Sequence, residues 1–194
     1  MTTWGTVAAR ARGLAARQAS PAALRAARRD GLEGVARLVA ARGWPLPPGE
    51  PTAAELEAAV RLGIAAELRV FDRWLAPAQR RALFAVLGDE DRRTVQRIVR
   101  GLAGGVGPAV RRAGALPTPD LTPRAIDELA RQPTPAAVGV LLALWDHPLA
   151  AAFASAGPVD ETLGLELALD RVFAARATRA ARGGGRPLRR LVER

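Results

Sequence analysis

Apolar residues recur along this chain at steps of three and four, and no segment of useful length alternates apolar with polar as a half-buried strand does. Leu56, Val60, Ile64 and Leu68, continued by Phe71 or Leu75, form the longest stripe, and Val95, Ile98, Val99 and Leu102 form another. Each marks the core-facing side of an amphipathic helix. Capping and breaking residues set the boundaries. The spacing predicts a helix over 5–18. Ser20-Pro21 opens the next, which runs to about Arg29: serine caps, and proline in the first turn has no N–H to leave unpaired. A third helix covers 32–42, closed by Gly43 and kept from continuing by Pro45, Pro47, Pro48 and Pro51. Thr52 with Glu55 three residues on makes a capping box for the long stripe, which Pro77 ends or restarts.

Further along, helices are predicted over 78–87 and 94–102. Gly88-Asp89-Glu90-Asp91 is read as a turn between them, its acids at a helix N-terminus where the dipole favours them. A glycine-rich break over 101–107, a short segment over 110–113 and a proline loop over 116–119 lead to a second Thr-Pro start at Thr122-Pro123. The apolar run 136–145, bounded by Pro135 and Asp146, is too short for the ~20 residues a bilayer requires and reads as a buried helix. A last long helix is expected over 160–182, ahead of a flexible joint at Gly183-Gly184-Gly185. The fold class is all-α.

One stretch is written twice. Ser20-Pro21-Ala22-Ala23-Leu24, a helical run, and Gly43-Trp44-Pro45-Leu46 match Thr122-Pro123-Arg124-Ala125-Ile126, a helical run, and Asp146-His147-Pro148-Leu149. Val35, Leu38 and Val39 fall opposite Val138, Leu141 and Leu142 once one insertion is allowed. This predicts duplicated helical-bundle modules, one over 1–104 and a truncated one over 105–194, an organisation that suits a scaffold more than a catalyst.

Composition narrows the chemistry. The 194 residues include no Cys, no Tyr and a single His, which excludes a disulfide framework, a thiolate site and a multi-histidine metal site. All 29 basic residues are Arg, amid abundant Ala, Gly and Pro, so codon bias accounts for much of the pI near 11.7. The charge sits at the ends: 1–29 carries six Arg and no acid, and 171–194 carries eight Arg and one Glu. Such ends could dock on an acidic surface, although solvated Arg on amphipathic helices explains most of them. The eight aromatics form none of the Arg-aromatic motifs of nucleic-acid modules. The segment from Met1 to Arg12 is polar where a signal peptide would be apolar.

No catalytic constellation stands out. His147 beside Asp146 is a pair on paper, but a lone His before proline reads as a capping or turn residue. Ser20 and Ser155 lie outside any nucleophile elbow. The acids of 89–91, Asp127-Glu128 and Asp160-Glu161 each read as first-turn residues favoured by the helix dipole. The glycines of 101–107 follow a helix rather than a strand, and no Lys exists to serve a phosphate loop. No cofactor, metal ligand or enzymatic activity is expected.

Several segments in order resemble the C/d family of central-stalk proteins in V-type and A-type rotary ATPases. Ala8-Ala9-Arg10-Ala11-Arg12-Gly13-Leu14 after Trp4 is similar to the family's opening helix, and Ser20-Pro21 to its next. The Trp44-Pro45-Leu46 and His147-Pro148-Leu149 stops resemble its recurring aromatic stops. The segment from Asp91 to Arg100 resembles its "D-x-x-N-L-x-x-I-L-R" helix, with Thr94 in place of Asn. Leu165-Glu166-Leu167-Ala168-Leu169-Asp170-Arg171, followed by Phe173, is the best match, to "P-L-E-L-A-L-D-R" followed by an aromatic. The resemblance implies a shortened, non-catalytic linker of the central stalk, coupling the shaft to the membrane ring and serving proton or sodium transport. It implies a cytoplasmic place at the membrane face, other rotary-ATPase subunits as partners and no membrane span. A freestanding helical adaptor or nucleic-acid-associated protein using the Arg-rich ends is the alternative. Because no second copy of the Val95–Ile98–Val99–Leu102 stripe follows in the truncated module, an apolar seam is expected along Leu165, Leu169, Val172 and Phe173. Leu191 and Val192 would lie nearby, and the seam would be open to a partner or to self-association.

Overall fold

The computed structural model describes residues 4–156 and 162–183, and the regular structure in them is helical, with no strand. The chain divides into two compact units, Met1–Ala76 and Pro77–Arg194. The first contains α1 (Trp4–Ala16), α2 (Pro21–Arg29), α3 (Gly31–Ala41) and α4 (Ala53–Asp72). Ser20 Oγ accepts from Ala23 N at 3.1 Å, and Asp30 alone separates α2 from α3. The two helices pack closely because Gly34 offers no side chain: a methyl group there would lie 2.6 Å from Ala27 O. The Thr52–Glu55 capping box forms as expected, with Thr52 N donating to Glu55 Oε2 at 2.8 Å and Glu55 N to Thr52 Oγ1 at 3.3 Å. Val39, Leu56 and Ala59 make a small core, flanked by half-buried Val35, Trp44, Leu46 and Val60. Trp44 lies over Gly63, where any side chain would collide with its indole.

The second unit contains α5 (Pro77–Ala103), α6 (Pro108–Arg112), α7 (Pro123–Ala130), α8 (Pro135–Leu144), α9 (Ala150–Ser155) and α10 (Thr162–Gly183). The turn expected at residues 88–91 does not exist, because α5 runs through it unbroken. A single interior glycine costs a helix only about 1 kcal/mol relative to alanine. The acids meanwhile find arginines one turn on: Arg92 lies 2.6 Å from Asp89, and Arg93 lies 2.8 Å from Asp89 and 3.4 Å from Glu90.

This continuity moves the boundary. The expected division after residue 104 falls at Ala76/Pro77 instead. Val95, Ile98 and Val99 of α5 are fully buried with Leu121, Ile126, Leu129, Val138, Leu142, Leu149, Leu165 and Leu169 in one core. The helix assigned to the first module is thus the centre of the second unit. It also covers the seam that was expected to lie open: Leu165 and Leu169 are buried, and Val172 packs against them. The expected partner contacts are therefore internal at Leu165 and Leu169, and Phe173 is half-buried over Arg92. Leu191 and Val192 lie outside the described residues. The α8 helix is buried on one face only, through Val138, Gly139 and Leu142, while Val140 and Leu144 are 67% and 76% exposed.

The two stretches that look alike in sequence have similar caps at their ends but differ between them, so duplicated modules are not shown. Thr122 Oγ1 accepts from Ala125 N at 3.2 Å, as Ser20 does from Ala23. At the stops, Gly43 N donates to Ala40 O (2.8 Å) and Trp44 N to Val39 O (3.3 Å). Asp146 N donates likewise to Ala143 O (3.0 Å) and His147 N to Leu142 O (2.8 Å). Both are Schellman caps, with Gly43 at φ 71° and Asp146 at φ 52°. The junctions differ, since α7 and α8 are separated by residues 131–134, which end in a fresh N-cap at Thr134.

Candidate functional site

Two arrangements in the second unit involve residues of chemical interest. The first is a buried polar cluster at mid-α5. Asp91, Thr118 and His147 are 1%, 1% and 5% exposed. Thr118 Oγ1 donates to Asp91 Oδ1 at 2.6 Å and accepts from Leu121 N at 2.9 Å, while Thr118 N donates to Leu121 O at 2.9 Å. Thus the loop before α7 folds as a tight hydrogen-bonded turn whose side chain orients the carboxylate. His147, set by the Schellman cap that ends α8, turns away from exposed Asp146 and inward. Its Nε2 lies 3.7 Å from Asp91 Oδ2 without a hydrogen-bond partner, and its Nδ1 accepts from Leu149 N at 3.3 Å. Asp120 brings a second carboxylate, so that one ligand atom from each of Asp91, Asp120 and His147 lies within 4.8 Å of the others.

The reading of His147 as a turn residue agrees with this geometry, and the carboxylate facing its ring is the distant Asp91 rather than Asp146. Nothing local signals that, because Asp91, Asp120 and His147 sit in three separate segments. The Thr118 hydroxyl is committed as both donor and acceptor, so it is no free nucleophile. Two other acidic assignments are corrected. Asp91 and its neighbours lie mid-helix. Asp127 and Glu128 lie in the second turn of α7, where they pair with Arg112 (2.7 Å) and Arg124 (2.8 Å). Asp160 and Glu161 lie outside the described residues.

The second arrangement is the α5–α10 interface. Beside the apolar contacts, Arg92, Gln96 and Arg100 recur at four-residue steps on α5 and meet Glu166 and Asp170 on α10. Gln96 Nε2 donates to Asp170 Oδ1 at 2.9 Å, and Arg92 pairs with the same carboxylate. Arg100 grips Glu166 with two donors, one at 2.7 Å. Burial works against the charge of Arg92, but hydrogen bonds and proximity to Asp89 and Asp170 outweigh it and raise its pKa. The Glu166 hydrogen bond raises that of Arg100. The Arg92 guanidinium also lies 5.5 Å from the Phe173 ring centre. These two helices contain the segments Asp91 to Arg100 and Leu165 to Arg171. The outward face of α10 holds Leu163 and Leu167, 68% and 45% exposed, for which the sequence pattern gave no role.

Arg12, Arg17, Arg25, Arg28 and Arg29 of the first unit are exposed and form no ion pair among the described residues. No helix among the described residues is long and apolar enough to cross a membrane. Comparison with protein-family models, curated proteins and solved structures gives no match in any of the three.

Proposed function

We propose that the chain is a non-catalytic coupling or linker protein of a V/A-type rotary ATPase central stalk, or a shortened relative of one. The observation that carries this reading is the pairing of two segments that resemble that family, Leu165 to Arg171, the best match, and Asp91 to Arg100. On α10, Leu165 and Leu169 pack on α5, while Glu166 and Asp170 bind its Arg92, Gln96 and Arg100. A rigid, internally braced helix pair suits a part that transmits force, because packed interiors transmit strain. The chain would act through its surfaces, holding shaft and ring together in ion transport at the cytoplasmic face of the membrane. Its test is affinity purification of the tagged chain from native membranes. Shaft and ring proteins are expected in the eluate, and their absence from a stable, folded preparation would overturn the reading. The isolated chain should hydrolyse no ATP, and turnover abolished by His147→Ala would refute the non-catalytic assignment.

A second reading, a freestanding helical adaptor or nucleic-acid-associated protein using its Arg-rich ends, is favoured by Arg12, Arg17, Arg25, Arg28 and Arg29, which are exposed and form no ion pair among the described residues. Binding to duplex DNA or RNA whose affinity falls steeply with salt, by a slope of about −0.9 per neutralised phosphate, would favour it.

A further inference from the structure

We propose that Asp91, Asp120 and His147 form a binding site for one late first-row divalent cation of the Zn2+ class, which would tie α5, the loop before α7 and the end of α8 together. The three side chains come from three separate elements, and their ligand atoms already lie within 4.8 Å of one another. The 3.7 Å between His147 Nε2 and Asp91 Oδ2 is close to the spacing of two ligands on one tetrahedral ion. His147 supplies an independent sign. It is 5% exposed, yet its Nε2 has no hydrogen-bond partner and points at the carboxylates. A buried polar atom without a partner is costly, and a cation held by the same carboxylates would remove that cost. Asp91 is braced as metal-binding carboxylates are, its other oxygen held by Thr118 at 2.6 Å. Asp120 also lines an open cleft of about 300 Å³ beside Trp145.

The opposing features decide which ion fits. Leu149 N–H faces Nδ1 at 3.3 Å, so the neutral ring carries its proton on Nε2. Coordination through Nε2 moves that proton to Nδ1, with no net gain or loss, and the ring must turn slightly off Leu149 N–H. Arg176, 3.8 Å from Asp120, must also give way. Only an ion with strong affinity for imidazole offsets these costs. That selects Zn2+, Co2+, Ni2+ or Cu2+ over Mg2+ and Ca2+, which take oxygen ligands.

Cobalt(II) titration of the untagged full chain tests this. Saturation at one ion per chain with visible absorption of low-symmetry Co2+ is expected, together with a rise in the thermal midpoint on adding Zn2+ but not Mg2+. Because the chain has a single histidine, its imidazole proton resonances report directly on coordination in the unaltered protein. Those signals should shift on adding Co2+. Asp120→Asn, at an exposed position, should weaken binding about 10- to 100-fold without loss of fold. His147→Gln should do the same or more. Absence of saturable binding, or binding that leaves the histidine signals unchanged or is unaffected by Asp120→Asn, would overturn the proposal and mark any uptake as adventitious. Neither outcome bears on the stalk assignment, which is read by co-purification.

Discussion

Thr118 donates its hydroxyl to Asp91 across 2.6 Å while the same oxygen accepts from Leu121 N, so one side chain satisfies a buried carboxylate and a buried amide together. Replacing Thr118 with Val keeps the shape and removes both bonds. Leaving a buried polar group unpaired costs about 1–3 kcal/mol, and more for a charge. Thr118→Val should therefore lower stability to urea by at least that range. Thr122→Val, which removes only an exposed helix cap, should cost about 1 kcal/mol. Equal effects from the two substitutions would mean that the Asp91 network contributes nothing beyond a cap.

The two Schellman caps make a paired prediction. Gly43 at φ 71° and Asp146 at φ 52° occupy equivalent left-handed positions, where a Cβ costs roughly 1–2 kcal/mol and glycine none. Gly43→Ala should destabilise the chain, and Asp146→Gly should stabilise it or leave it unchanged. Chemical denaturation of both variants checks this. A gain from Gly43→Ala would contradict the left-handed assignment at the end of α3.

These caps also show what is legible in the sequence and why. Ser20-Pro21, Thr122-Pro123 and Thr52 with Glu55 can be read directly because each motif closes within four residues, and local hydrogen bonds decide it. The interior of α5 misleads on the same local logic. Gly88 and three acids look like a turn until Arg92 and Arg93, one turn on, neutralise Asp89 and Glu90. The group that faces His147 cannot be read locally, since Asp146 is its sequence neighbour and tertiary packing instead brings Asp91 Oδ2 to 3.7 Å of the ring. On α10, periodicity marks Leu165 and Leu169 as apolar-face residues but does not say what covers them. The Val95–Ile98–Val99 stripe that does so belongs to the same unit, which only the unbroken α5 makes evident.

Acid titration offers a third check. The backbone hydrogen bond from Thr52 N, reinforced by the Thr52 hydroxyl, holds Glu55 below the usual carboxylate pKa. A lowered folded pKa means that its contribution to the start of α4 is complete above the unfolded value, about pH 4.3. It is lost as pH falls through the folded value. NMR titration of the Glu55 carboxyl should show a midpoint below that of an unstructured peptide. In Glu55→Gln, which can still cap but cannot titrate, the first turn of α4 should lose this part of its acid sensitivity. A midpoint at or above the peptide value would show that the capping box does not form in solution.

The two faces of α10 differ in burial. Leu165 and Leu169 are 1% and 0% exposed, whereas Leu163 and Leu167 are 68% and 45% exposed on the same helix. Leu165→Ala or Leu169→Ala should cost about 2–5 kcal/mol, since each leaves a cavity against Val95, Ile98 and Val99. Leu163→Ser with Leu167→Ser should change stability by about 0.5 kcal/mol or less, as surface substitutions do. If the chain works as a stalk linker through its surfaces, the outer pair is where an effect on assembly without an effect on folding can appear. Co-purified shaft and ring proteins should fall when the outer leucines are replaced, while the melting curve stays in place. The reverse pattern, normal assembly with a lowered melting curve, would mean that the outer leucines stabilise the unit itself and that the docking surface lies elsewhere.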